Sequence, residues 1–269
     1  MTSLDDMFAR TRGEGRAALI GYLPAGFPSV DGAIDAMVAM VEGGVDAIEV
    51  GLPYSDPLLD GPTIQAAVDA ALHAGVTTTD VLHTVRQVAA TGAPTLVMSY
   101  WNPIERFGVE RFAAELKSAG GAGTITADIT PDEAGAWIDA TDAAGLDRVF
   151  LVAPSSTDAR IASTAAATRG FVYAAAVMGV TGARAEVGSA ARQLVERTKR
   201  ATQLPVCVGL GVSTGAQAGE IAQFADGVIV GSAFVRRLLD ASSPEEGIVG
   251  VRELAMELSI GVRRAAVAS

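Results

Sequence analysis

Cysteine, histidine and lysine are nearly missing from this chain of 269 residues, which holds one Cys, two His and two Lys. A single cysteine excludes an internal disulfide and leaves nothing to complete a CxxC redox or zinc motif. Cys207 lies in the apolar run Pro205-Val206-Cys207-Val208 and reads as a small buried hydrophobe. His73 and His83 fall on helical segments outside any cluster of ligand residues, which argues against a metal site. Lys117 and Lys199 are also on helical segments, so a strand-borne Schiff-base lysine is missing and an imine-forming aldolase is disfavoured. Neither a GxSxG elbow nor a P-loop occurs. Acid/base chemistry therefore falls to carboxylates, tyrosines or the two lysines.

Positive charge is scarce as well. Twenty Lys and Arg against 31 Asp and Glu leave a net charge of −11. Such a chain is a poor partner for nucleic acid, whose phosphates need clustered basic side chains. One small phosphate is still accessible, because backbone N–H groups can hold it without net positive charge. No run approaches the ~18 apolar residues of a membrane span. The first residues lack the basic start and apolar core of a signal peptide. A cytoplasmic, soluble protein that engages no membrane is expected.

What the chain does have is 49% hydrophobic residues and 30 glycines, with aromatics at only 5%. That mixture suits buried parallel strands alternating with helices and tight turns. Apolar runs at 17–23, 47–50, 94–98, 123–126, 148–152, 171–175, 206–209 and 227–230 predict eight strands. Helical periodicity fills 32–41, 79–90, 109–119, 132–143, 158–168, 190–202 and 214–224, with Ser29, Thr78, Asp158 and Ser213 as capping residues. Eight strands alternating with helices close a (β/α)8 TIM barrel. Segments 4–12 and 245–264 add helices outside the repeat. No linker divides the chain, so one domain over 1–269 is expected. A doubly wound open sheet is the alternative, but its phosphate loop would follow the first strand. Here the glycine signal comes late.

Two carboxylates draw attention. In the second strand, alternation turns Ile48 and Val50 toward the helices and Ala47 and Glu49 toward the barrel interior. A carboxylate there is either functional or held in a structural ion pair, since an unpaired charge costs several kcal/mol. Asp60 follows eleven residues later in the turn-rich stretch Ser55-Asp56-Pro57-Leu58-Leu59-Asp60-Gly61-Pro62, where a plain turn role is as good a reading. Asp56 shares that ambiguity. Two glycine motifs, Gly209-Leu210-Gly211-Val212-Ser213 after the seventh strand and Gly231-Ser232-Ala233 after the eighth, suit backbone capture of a phosphate, or are simply turns. Gly179-Val180-Thr181-Gly182-Ala183-Arg184 after the sixth strand is a hinged loop that could close over a ligand, or a passive one.

Taken together, Ile48-Glu49-Val50-Gly51-Leu52-Pro53-Tyr54-Ser55-Asp56-Pro57-Leu58-Leu59-Asp60-Gly61-Pro62-Thr63-Ile64-Gln65 and the three glycine motifs resemble the tryptophan synthase alpha subunit family, from about Phe8 to Leu239. The resemblance implies a lyase that cleaves indole-3-glycerol phosphate to indole and D-glyceraldehyde 3-phosphate in tryptophan biosynthesis. It places Glu49 on the principal acid/base and Asp60 on the carboxylate at the indole nitrogen. Tyr22, Tyr173 and Thr181 match substrate-binding positions. Gly182, Gly211, Gly231 and Ser232 match the phosphate cradle, and Pro53 and Asp56 a partner surface. It further implies no cofactor in this chain. The expected partner is a beta subunit carrying pyridoxal phosphate, in an alpha-beta-beta-alpha tetramer. Tyr22 stands where the family usually has a Phe beside the indole; further departures at Leu59, Leu210, Ala176-Val177-Met178 and Gly26-Phe27-Pro28 bear on lid contacts and partner communication and leave both carboxylates in place. Two rivals are another phosphate-binding barrel enzyme and a non-catalytic barrel that only activates a partner.

Overall fold

The computed structural model describes residues 3–176, 184–209 and 211–264. Its strands are β1 (Ala18–Pro24), β2 (Ala47–Gly51), β3 (Thr95–Ser99), β4 (Gly123–Thr126), β5 (Asp147–Val149), β6 (Leu151–Val152), β7 (Val172–Ala175), β8 (Val206–Gly209) and β9 (Gly227–Val230). All ladders are parallel, in the order β5-β4-β3-β2-β1-β9-β8-β7-β6. The two ends of that order are consecutive in the chain and separated only by Phe150, so the sheet returns on itself. The run 148–152 is thus one barrel strand interrupted at Phe150, whose side chain is buried among the helix-facing residues.

The helices packed around and against these strands are α1 (Leu4–Gly13), α2 (Val30–Glu42), α3 (Pro62–His73), α4 (Thr78–Ala89), α5 (Trp101–Phe107) and α6 (Val109–Ser118). They continue with α7 (Gly135–Ala144), α8 (Asp158–Ala167), α9 (Arg184–Ala201), α10 (Gly215–Ala222), α11 (Ser232–Leu239) and α12 (Pro244–Arg264). Ser29 caps α2 as expected, its hydroxyl accepting from the Gly32 N–H. Three caps fall one residue from the sequence reading: Thr77 rather than Thr78, Thr157 rather than Asp158, and Thr214 rather than Ser213. In each case neighbouring residues can both cap, and the one with extended backbone takes the role.

Side-chain alternation produces two cores. Leu19, Leu23, Ile48, Val50, Val97 and Val172 face the helices. Ala18, Ile20, Ala47, Leu96, Ile125, Cys207 and Ile229 fill the barrel interior. Helix α1 closes the lower, N-terminal end of the barrel by driving Leu4, Met7 and Phe8 into that inner core, with Phe8 edge-on to Phe171 at 5.9 Å. Beside it, buried Asp46 accepts from both terminal nitrogens of Arg16 and from the Leu19 N–H at 2.9 Å, which fixes β1 against β2. The upper end, where the strands finish, is left for chemistry.

Candidate active site

The register sets Glu49 of β2 between Tyr22 of β1 and Leu96 of β3. Because Ala47 is one of the inner residues, Glu49, two further along, points inward near the top of the strand. The side chain is fully buried, and neither carboxyl oxygen has a hydrogen-bond partner among the described residues. The structural ion pair left open by the sequence is therefore not formed with any described Arg or Lys. Burial pushes the Glu49 carboxyl up to about 8. Removing water penalises the anion, and no described residue compensates it.

Glu49 forms part of the wall of a cavity of about 400 Å³. Tyr22, Asp60, Tyr173, Gly211, Gly231 and Ser232 also line it, so seven of the sequence-predicted site residues converge there. Apolar side chains, among them Leu59, Ile64, Met98, Leu151 and Ile229, add to the wall. A flat aromatic body with one polar end fits such a lining. Thr181 and Gly182 lie outside the described residues.

Asp60 sits on the rim, just ahead of α3, and is half-buried. Its carboxyl is raised by burial, an effect opposed by a hydrogen bond that Tyr100 donates at 3.4 Å. Burial also holds the phenols of Tyr22 and Tyr173 well above their ordinary value, and the charges of Glu49 and Asp60 add to this. Both rings are therefore neutral walls of the cavity near neutral pH.

The glycines of the upper rim have physical reasons. Gly211 has φ +66°, a left-handed conformation that side chains disfavour. A Cβ on Gly231 would meet the Tyr22 ring at 2.9 Å. Gly231 also precedes α11 and offers no side-chain cap to the first N–H groups of that helix, whose start at Gly231 and Ser232 lines the cavity. Backbone donors at this end, with Ser232, can hold an anion without Lys or Arg. Pro53 is buried, whereas Asp56 is exposed, as are Leu58 at 77% and Leu59 at 51%.

Sequence reasoning missed Tyr100, which lies forty residues from Asp60 and has no motif around it. Its only signal was a polar aromatic directly after the third strand. Among the described residues no group of three or more His, Cys, Asp or Glu could hold a metal ion, and no helix is long and apolar enough to cross a membrane.

The family model for the tryptophan synthase alpha chain matches residues 8–262. The tryptophan synthase alpha chain of Thermobifida fusca is 60% identical over 99% of this chain and 100% of its own length. That of Streptomyces coelicolor is also 60% identical, over 97% and 96%. A structure of Mycobacterium tuberculosis tryptophan synthase superposes with a TM-score of 0.90 at 52% identity, covering 98% of this chain and 99% of that one. An alpha subunit from Legionella pneumophila superposes at 0.89 with 29% identity, over 98% and 99% of the two chains. With the family model matching nearly the whole chain and a 60% identical relative covered over its full length, the chain belongs to the tryptophan synthase alpha chain family.

Proposed function

We propose that Glu49 and Asp60 carry the reaction of this alpha chain, the retro-aldol cleavage of indole-3-glycerol phosphate to indole and D-glyceraldehyde 3-phosphate. Indole is a poor carbanion leaving group, so the ring must first be protonated at carbon 3. The resulting indolenine accepts the electron pair of the breaking carbon–carbon bond. Glu49 delivers that proton and then takes one from the glycerol hydroxyl as the carbonyl forms. Asp60 stabilises the ring N–H as positive charge develops. Each acid/base role is worth about 10²–10⁴ in rate, roughly 3–5 kcal/mol.

The observation that carries this reading is the fully buried Glu49 carboxyl, without a partner among the described residues and pushed up to about 8. It keeps a proton to give at neutral pH and is basic enough to take one back. The phosphate is assigned to Gly211, Gly231 and Ser232, joined by Gly182. Tyr22 and Tyr173 flank the indole ring, with Thr181 as a further contact. Binding the phosphate far from the breaking bond supplies positioning energy.

The partner on this reading is a beta subunit in an alpha-beta-beta-alpha tetramer. That subunit carries pyridoxal phosphate, and this cytoplasmic chain needs no cofactor. Its docking surface includes Asp56 and the exposed Leu58 and Leu59, with Pro53 shaping the loop from within. Indole is small, apolar and easily lost, which favours delivery within a complex.

The test is indole release from indole-3-glycerol phosphate by the purified chain, with and without a beta subunit. Wild type releases indole, Glu49→Gln folds but loses nearly all release, and Asp60→Asn is impaired while still binding glycerol 3-phosphate. A barrel that only activates its partner would raise beta turnover equally with Gln at position 49. That result would overturn the reading.

A further inference from the structure

The loop that carries Asp60 hangs from one phenolic oxygen. Tyr100 stands directly after β3, buried, with its ring 5.2 Å from that of Tyr54. Its hydroxyl oxygen accepts the Leu58 N–H at 3.1 Å and the Leu59 N–H at 3.0 Å. The same hydroxyl donates to Oδ1 of Asp60 at 3.4 Å. A phenol has one proton, and its oxygen takes about two hydrogen bonds. With two backbone amides already on the oxygen, the proton has the carboxylate as its remaining partner.

The rest of the loop has little to hold it. Leu58 and Leu59 are exposed, so their packing does not fix the backbone. Gln65 ties down only the main chain, donating to the Asp60 carbonyl at 2.8 Å. Tyr100 is thus the described contact that controls where the Asp60 carboxylate points. The contact is long for a charge-assisted bond, so it can tighten as Asp60 comes to face a positively charged ring.

We propose that Tyr100 is a positioning residue for the cleavage: its hydroxyl holds residues 58–60 in place and aims Asp60, as a charged acceptor, at the ring nitrogen of the substrate. The proposal rests on the assignment of Asp60 made above. It extends the catalytic constellation to the third strand. It also gives one oxygen contact with both the exposed loop and the carboxylate.

A pH signature follows. Among the described residues, the titratable groups facing Asp60 are Tyr22 from β1, Glu49 from β2, Tyr100 after β3 and Tyr173 from β7. Of the two guanidinium groups on the neighbouring helix α11, that of Arg236 donates to Thr63 at 2.9 Å. Burial raises the Asp60 carboxyl and the Tyr100 bond lowers it. Removing the hydroxyl leaves only the raising influence, so the acid limb governed by Asp60 moves to higher pH.

The experiment measures indole release by wild type, Tyr100→Phe, Asp60→Asn and the double variant across about pH 5 to 9. Tyr100→Phe is expected to lower kcat by about 10- to 100-fold, the scale of a displaced catalytic group, with KM nearly unchanged. Its acid limb should shift upward, and in the Asp60→Asn background the same change should have no further effect. Difluorotyrosine introduced at position 100 keeps the shape but donates more strongly, and should move the acid limb the other way even if the Phe variant folds poorly. Unchanged kcat and acid limb in Tyr100→Phe would overturn the proposal. So would a loss of equal size with and without Asp60, which makes Tyr100 a scaffold only. Full activity in Asp60→Asn would instead remove Asp60 from the reaction, a distinct failure that takes this proposal with it.

Discussion

Glu49→Gln should make the folded chain less sensitive to rising pH, and the size of the change can be worked out. The side chain is fully buried with neither oxygen partnered among the described residues, and its carboxyl is pushed from 4.5 up to about 8. In the unfolded chain the same group titrates at its ordinary value. Between about 4.5 and 8 the folded state therefore keeps a proton that the unfolded state has released. Stability must fall as pH rises through that window. At ~1.4 kcal/mol per pH unit, the cost reaches roughly 3 kcal/mol at pH 7 and roughly 1 kcal/mol at pH 5. Glutamine has no proton to lose, and any cost of its buried amide is the same at both pH values. The stability of Glu49→Gln minus that of wild type should thus grow by about 2.5 kcal/mol from pH 5 to pH 7, or ~5 °C in Tm for a chain of this size. Urea unfolding of both proteins at the two pH values measures it. A constant offset between them would refute the reasoning, because Glu49 would then titrate alike in the folded and unfolded states.

Three further outcomes are expected. The kcat/KM profile for indole release should fall on its alkaline side with a midpoint near 8, as Glu49 loses the proton it must deliver, and that limb should be missing from any residual activity of Glu49→Gln. Gly231→Ala should displace the Tyr22 ring, which a Cβ would meet at 2.9 Å, and raise KM about tenfold while the Tm changes by only a few degrees; calorimetric titration with glycerol 3-phosphate reports the same loss. Phe8→Ala should cost about 3–5 kcal/mol by emptying the lower barrel core, yet leave KM unchanged, since α1 closes the end opposite the cavity; urea unfolding beside steady-state kinetics checks both halves.

The barrel was legible because its strands are bounded by turns and buried on both faces, so period and composition agree along the whole repeat. Glu49 was legible for a related reason. Strand alternation alone sends it inward, and an acid among Ala, Ile and Val is conspicuous. What the sequence left open was whether a cation would meet it, because pairing partners in a barrel come from strands far apart in the chain. Asp60 could not be separated from a turn residue until α3 and β3 placed it over the cavity. Tyr100 was invisible for the same reason: its importance comes from two backbone amides and a carboxylate some forty residues earlier, which no local pattern encodes. The break at Phe150 and the short helix α5 were also missed. Both are only a few residues long, below the length at which periodicity declares an element.

The claim on which the account rests is that Glu49 holds its proton at neutral pH because its oily surroundings leave the anion unsupported. Difference infrared titration, comparing wild type with Glu49→Gln, reads the protonated carboxyl stretch of that one residue directly. The account predicts a band that persists at pH 7 and disappears with a midpoint near 8. A band already lost by about pH 5, near the ordinary glutamate value, would contradict it.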